Sequence, residues 1–188
     1  MNYTDALAYL DDHASYDTTG RVESPTIERI SRLMDVSGEP HRAYPVIHIT
    51  GTNGKGSTTQ MITRLLMAQG LTVGTYTSPH LERLNERISR NAEPIGDEEF
   101  AEQIASLAEI EIVAGVRPTY FELVTAAAFR WFADVAVDVA VVEVGMLGTW
   151  MRPTWSTPRS RWSPTSAWTT TSTPARPPPT SPARRAAS

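Results

Sequence analysis

Apolar residues recur along the first 144 positions at two spacings, one typical of helices and one typical of buried strands. Helical spacing is found over residues 1–35 (in two pieces), 57–70, 97–113 and 120–133. Short apolar runs that predict strands are found at residues 44–50, 71–77 and 137–144. Strands that alternate with helices predict an α/β fold, a mostly parallel sheet with flanking helices. The inner face of the helix over 57–70 is expected to carry Met61, Leu65, Leu66 and Ala68.

Composition changes abruptly after Gly148. Residues 149–188 consist of Ser, Thr, Pro, Ala, Arg, four Trp and one Met, and eight of these residues are proline. Such a segment has too little aliphatic surface to build a core, so it is expected to be disordered. The predicted organisation is a folded unit over residues 1–148 and a disordered tail over residues 149–188.

Charge is unevenly distributed along the chain. All 21 acidic residues lie at or before Gly148 with 11 of the 17 Lys and Arg, so this part has a net charge of −10. An acidic body argues against nucleic-acid binding, and the lack of cysteine excludes thiolate metal sites. The first residues do not show the basic-then-apolar order of a signal peptide, and no apolar stretch is long enough to cross a bilayer. We therefore expect a cytoplasmic protein without a membrane partner.

A glycine-rich loop, residues 51–57 (GTNGKGS), lies between the first predicted strand and the next helix. Glycines allow backbone N–H groups to turn toward a phosphate, and the helix N-terminus adds its positive dipole. Lys55 can reach terminal phosphates, and a following hydroxyl can meet Mg²⁺. The usual P-loop has four residues between its first glycine and Gly-Lys, whereas this loop has two. The residues predicted to hold the phosphates are Thr52, Asn53, Gly54, Lys55, Gly56 and Ser57.

Five short motifs follow one another along the chain. They are residues 50–57 (TGTNGKGS), 78–81 (SPHL), 85–88 (NERI), 119–122 (TYFE) and 142–145 (VEVG). In this order they resemble the folylpolyglutamate synthase / dihydrofolate synthase branch of the Mur ligase superfamily, of which Gly56 is typical. The resemblance implies that residues 1–148 are part of a Mur-ligase ATP-binding domain.

The resemblance also implies a reaction. ATP phosphorylates a carboxylate of dihydropteroate or a folate, and the amine of L-glutamate attacks the acyl phosphate to form an amide. The implied cofactors are ATP and Mg²⁺, and a monomer that acts on small molecules is expected.

Residue roles follow from the same resemblance. Lys55 is the implied catalytic residue, which holds the transferred phosphoryl group. Ser78 and Glu143 are the implied Mg²⁺ ligands, because Mg²⁺ prefers oxygen donors. Glu143 also ends an apolar strand, and functional sites of α/β proteins lie at such strand ends. Ser78 and His80, each considered alone, are also consistent with purely structural roles. The implied pterin-side residues are His80, Thr119, Tyr120, Phe121 and Glu122.

The family's next segments, Asp-Ala-Thr-Asn and Leu-Asp-His, do not follow residue 145. They reappear if each codon's third base is joined to the first two bases of the next codon. Trp150-Met151 and Trp168-Thr169 then each encode Asp, and the neighbouring codons permit the other residues at the family's spacing. We therefore expect an insertion or deletion between residues 146 and 150. We also expect the 188-residue chain to hydrolyse ATP weakly or not at all and to lack ligase activity.

Two other interpretations stay open. One is a different Mur-type amino-acid ligase, against which the TYFE motif and Gly56 argue. The other is a non-catalytic P-loop nucleotide-binding fragment with a basic interaction tail, which the codon argument disfavours.

Overall fold

The structure, a computed structural model, describes residues 1–13, 26–51 and 53–143. Its helices are α1 (Tyr3–Asp11), α2 (Glu28–Val36), α3 (Lys55–Ala68), α4 (Asp97–Ala114) and α5 (Tyr120–Asp134). Its strands are β1 (Val46–Ile49), β2 (Val73–Tyr76), β3 (Ile88–Arg90), β4 (Glu93–Pro94) and β5 (Val139–Glu143). Short 3₁₀ helices cover Pro40–Arg42 and Leu84–Arg87. The tail predicted to be disordered lies outside the described residues.

The strands form one sheet in the order β1-β5-β2-β3-β4. β5 pairs in parallel with β1 and with β2, which confirms the mostly parallel sheet. β3 and β4 form an antiparallel hairpin on the outer side of β2. The sequence did not predict this hairpin, because its strands are very short and its turn, at Asn91 and Ala92, has positive φ without a glycine.

The register of the parallel strands brings their carboxyl ends together. Ile49 of β1 pairs with Glu143 of β5, and Tyr76 of β2 pairs with Val142 of β5. The strands therefore end side by side with β5 in the middle. Loops that follow such strands at the carboxyl edge are the usual position of ligand sites in α/β folds.

Helices cover both faces of the sheet. On one face α3 packs its Ile62, Leu66 and Met67 over a small apolar cluster of the three parallel strands. On the other face α1, α2, α4 and α5 pack around the larger core, which includes Leu10, Leu33, Phe100, Leu123 and Phe132. Among the described segments no helix is both long and apolar enough to span a membrane.

The inner face of α3 differs from the prediction. Met61 and Leu65 are 58% and 67% exposed, and Ala68 is exposed, so of the four predicted residues only Leu66 packs inward. Thr59 and Thr63 are fully buried instead, and the Thr63 hydroxyl lies 2.9 Å from the hydroxyl of Thr75 on β2. The prediction was wrong because hydrophobicity alone does not reveal a threonine that satisfies its hydroxyl against the sheet.

α5 approaches the opposite face closely at Gly74. A Cβ atom at Gly74 would lie 2.7–2.9 Å from three ring carbons of Phe132, which is itself fully buried. Glycine in the middle of β2 therefore permits the close packing of α5 on the sheet.

Candidate nucleotide-phosphate site

The glycine-rich loop leads from the end of β1 directly into α3. Gly54 precedes the helix with a φ of +75°, in the left-handed region that glycine adopts without strain. Lys55 is the first residue of the helix, and no described side chain caps its N-terminus. The first amide groups of α3 can therefore bind an anion, with Lys55 beside them.

Glu143 ends the central strand β5 opposite this helix start. The residue is only 5% exposed. Its Oε2 lies 3.5 Å from the point where a Cβ atom of Gly56 would stand. The backbone N–H of Ser78 and the ammonium of Lys55 both lie close enough to act on the charge of its carboxylate. The loops after β1 and β2 therefore meet at Glu143, the last residue of β5.

Burial raises the pKa of the Glu143 carboxyl above its usual value. The positive charge of Lys55 and the backbone N–H of Ser78 oppose this shift without cancelling it. In the folded chain, the negative charge of the Glu143 carboxylate is therefore only partly stabilised by its neighbours. A carboxylate in this condition gains from a further cation.

The donor set at Glu143 fits Mg²⁺ held largely by phosphate. Within the described ranges no group of three or more His, Cys, Asp or Glu side chains could hold a metal by itself. One buried carboxylate beside a serine and a phosphate-binding helix start is the arrangement expected for Mg²⁺, which is usually bound by one or two carboxylates with substrate phosphates and water.

The other predicted phosphate residues lie in or beside this loop. Asn53, Gly54 and Ser57 are exposed, and Lys55 and Gly56 are half-buried. Thr52 lies outside the described residues. Ser78 is half-buried, and its peptide bond to Pro79 is cis. The structure thus brings the predicted loop residues, Ser78 and Glu143 to one edge of the sheet.

The predicted pterin-side residues lie at the same edge, on the face of the sheet opposite α3. Thr119 and Glu122 form a capping box at the start of α5, with Thr119 N donating to Glu122 Oε2 at 2.7 Å and Glu122 N donating to Thr119 Oγ1 at 3.2 Å. Arg29 Nε also donates to Glu122 Oε2, at 3.0 Å. Helix capping therefore accounts for Thr119 and Glu122, and a substrate role for them stays a prediction.

The remaining pterin-side candidates are partly buried. Phe121 packs against Tyr76, with ring centroids 6.3 Å apart. Tyr120 lies under the guanidinium of Arg87, which is 6.0 Å from its ring centroid. His80 Nδ1 accepts a hydrogen bond from Arg87 Nε at 2.9 Å. Arg87 thus joins two of the candidates, a contact that the sequence did not predict.

His48, on β1, is a half-buried histidine whose two ring nitrogens are enclosed in the fold. From the sequence alone it is more typical of a structural residue than of a catalytic one. Neither ring nitrogen has a hydrogen-bond partner among the described residues. Burial lowers its pKa from 6.5 to about 4. The imidazole is therefore neutral in the folded chain, and protonation favours the unfolded chain.

The free energy of unfolding should accordingly fall on acidification between pH 6.5 and about 4. The contribution of neutral His48 to the free energy of unfolding is fully present above pH 6.5. As the pH falls toward 4, this contribution decreases by up to about 1.4 kcal/mol per pH unit, or about 3 kcal/mol in total. Denaturant unfolding at several pH values, with wild type and His48→Leu side by side, measures it. His48→Leu should flatten the profile in this range, and identical slopes for the two chains would contradict the prediction.

A parallel sheet with a glycine loop, a helix-start lysine and a buried carboxylate at its carboxyl edge defines a P-loop-type nucleotide-binding protein. No family model matches the chain. It is 46% identical over 140 residues to the dihydrofolate synthase/folylpolyglutamate synthase of Mycobacterium tuberculosis, covering 67% of this chain. The M. tuberculosis folylpolyglutamate synthase solved with ADP and AMPPCP aligns with a TM-score of 0.70 at 38% identity, covering 79% of this chain and 32% of that one. The chain belongs to the folylpolyglutamate synthase / dihydrofolate synthase family.

A second solved structure, an FPGS–AMPPCP–folate complex, aligns with a TM-score of 0.69 at 39% identity and covers 77% of this chain and 35% of that one. The chain spans only 28% of the length of the M. tuberculosis relative. Against the Lacticaseibacillus casei folylpolyglutamate synthase, to which it is 41% identical over 79% of its own length, it spans 35%.

Proposed function

We propose that this chain is the Mg²⁺–ATP-binding part of a ligase that attaches L-glutamate to dihydropteroate or a folate. The observation that carries the proposal is the buried Glu143, which meets Lys55 and the Ser78 amide where the three parallel strands end. The relatives named above support the folate substrate, and one of them was solved with AMPPCP and folate. We further propose that the protein acts as a monomer on small molecules.

Each residue of the site has a defined task in this reaction. The amides at the start of α3 and the Lys55 ammonium bind the β- and γ-phosphates and neutralise charge as the phosphoryl group moves to the substrate carboxylate. Glu143 and Ser78 would hold Mg²⁺, which supplies further charge neutralisation when bound. Burial of Glu143 keeps water away from its carboxylate and so strengthens its attraction to the metal.

We also propose that residues 149–188 are an out-of-frame reading of the family's continuing sequence. The support is that Trp150-Met151 and Trp168-Thr169 each yield Asp in the shifted frame, at the places where Asp-Ala-Thr-Asn and Leu-Asp-His are expected. The nucleotide sequence around codons 146–150 and downstream checks this. A stop codon in the shifted frame within the tail would contradict it.

The catalytic proposal is tested with the protein that the restored frame encodes. We expect it to ligate radiolabelled L-glutamate to dihydropteroate or to a reduced folate, with both ATP and Mg²⁺ required. The 188-residue chain assayed beside it is expected to give no ligated product.

Other amino acids, including those that Mur ligases use in peptidoglycan precursors, serve as competing substrates in the same assay. Ligation of one of these in preference to glutamate would favour the other Mur-type ligase. Nucleotide binding without any ligation by the restored protein would favour the non-catalytic binding fragment.

A further inference from the structure

The 3₁₀ helix Leu84–Arg87, which carries most of the NERI motif, makes contacts that the proposed function leaves unexplained. Its Glu86 carboxylate accepts hydrogen bonds from three successive backbone N–H groups. The distances are 2.8 Å from Leu81, 3.2 Å from Glu82 and 2.9 Å from Arg83. These bonds lower the pKa of the Glu86 carboxyl, so the carboxylate is ionised while it holds the loop.

The same short helix also fixes the loop at its other end. Thr77 N donates to the carbonyl of Arg87 at 2.9 Å, directly before Ser78. Arg87 Nε donates to His80 Nδ1 at 2.9 Å, directly after Pro79. The segment between Thr77 and Arg83 is therefore held before, within and after the SPHL motif by residues of one helical turn.

This helical turn is itself anchored in the body of the fold. Asn85 is buried, and its side-chain amide donates to the carbonyl of Ile95 at 2.8 Å and to Asp97 Oδ1 at 3.0 Å. The side-chain carbonyl of Asn85 accepts a hydrogen bond from the Tyr3 hydroxyl of α1. The helical turn is thus anchored to the body of the fold through Asn85, and it holds the SPHL loop through Glu86 and Arg87.

We infer that Glu86 is a positioning residue for the metal site: it sets the SPHL loop so that Ser78 meets Glu143. The register that pairs Tyr76 with Val142 puts Ser78 beside the end of β5, where its backbone N–H acts on the Glu143 carboxylate. Any displacement of the loop therefore changes both groups together. The Glu86 carboxylate is occupied by the three backbone amides, so it acts through these two residues. Outer hydrogen bonds that orient metal ligands typically contribute about 10- to 100-fold to metal affinity. The inference rests on the proposed Mg²⁺–nucleotide site.

The test is binding of AMPPCP to the 188-residue chain by calorimetry, with Mg²⁺ and with EDTA. Glu86→Gln keeps the shape of the side chain but replaces one acceptor oxygen by a donor NH₂ group, which faces backbone donors. We expect it to reduce affinity in Mg²⁺ by about tenfold and to leave affinity in EDTA unchanged. Glu86→Asp, which keeps the charge but reaches fewer amides, should give a smaller loss in Mg²⁺ alone.

Glu82→Gln is the matched control. Glu82 lies in the same loop and its side chain is exposed, whereas its backbone N–H donates to Glu86 and is not changed by the substitution. It should bind like wild type under both conditions. Amide exchange at residues 81–83 should become faster in Glu86→Gln and stay unchanged in Glu82→Gln.

Two results would overturn the inference while leaving the proposed function standing: unchanged Mg²⁺-dependent affinity in Glu86→Gln, or equal losses with Mg²⁺ and with EDTA. The second result would mean a general role in folding. If wild type itself bound AMPPCP no better with Mg²⁺ than with EDTA, the proposed function would fail and the inference with it.

Discussion

Replacing Lys55 by alanine is expected to reduce ligase turnover of the frame-restored protein by at least about 100-fold. Lys55 is the first residue of α3, whose N-terminus no described side chain caps and where the transferred phosphoryl group would lie. Its ammonium neutralises charge that grows in the transition state, so the loss should appear in kcat more than in KM. Steady-state kinetics with ATP as the varied substrate measures both constants.

Arg64→Ala is the control for Lys55→Ala, because Arg64 is an exposed cation on the same helix. Its kinetic constants should match those of wild type. Circular dichroism should show that both variants are folded. Turnover of Lys55→Ala within a few-fold of wild type would contradict the assignment of Lys55 as the catalytic residue.

Replacing Glu143 by glutamine is expected to have opposite effects on stability and on function. Burial raises the pKa of the Glu143 carboxyl, so the charged form is less stable in the folded chain than in the unfolded chain. Glutamine is neutral, is nearly the same shape, and keeps an oxygen that can face the Ser78 N–H. The melting temperature without Mg²⁺ should therefore rise by a few degrees, which corresponds to about 1 kcal/mol for a chain of this size. Mg²⁺-dependent nucleotide binding should be lost, because the anionic ligand is removed.

Glu143→Asp tests the length of the side chain separately from its charge. Aspartate keeps the carboxylate in the same buried place, so no rise in the metal-free melting temperature is expected. It is shorter by one methylene group, so Mg²⁺ affinity should fall without disappearing. A metal-free melting temperature that is lower for Glu143→Gln than for wild type would show that the carboxylate has a structural role instead.

Much of the fold follows from the chain's periodicity. The helices and parallel strands of the described residues lie near their predicted positions, because most of them carry apolar residues at helical or strand spacing. The hairpin β3–β4 was missed because its strands are too short to show the alternation of apolar and polar residues that predicts a strand. Its turn, at Asn91 and Ala92, also lacks the glycine that marks most such turns. The inner face of α3 was misjudged because hydropathy does not identify Thr59 and Thr63 as buried residues, although the Thr63 hydroxyl is satisfied by the hydroxyl of Thr75 on β2.

Only part of the site could be predicted from the sequence. The glycine loop and Glu143 could be predicted, because each combines a chemical group with a position at the end of a strand. The support given by Glu86 and Arg87 could not, because it depends on which backbone amides a short 3₁₀ helix faces. The lack of a hydrogen-bond partner for His48 among the described residues could not be predicted either, since a lone histidine in a strand gives no sign of its partners.

The most direct test of the account is a crystal structure of the chain with Mg²⁺ and AMPPCP. We expect the β- and γ-phosphates on the first amides of α3 and on the Lys55 ammonium. We also expect a metal ion with Glu143 among its ligands, at the metal–oxygen distance of about 2.1 Å that is usual for Mg²⁺. A nucleotide bound away from Lys55, or a metal ion without Glu143 among its ligands, would contradict it.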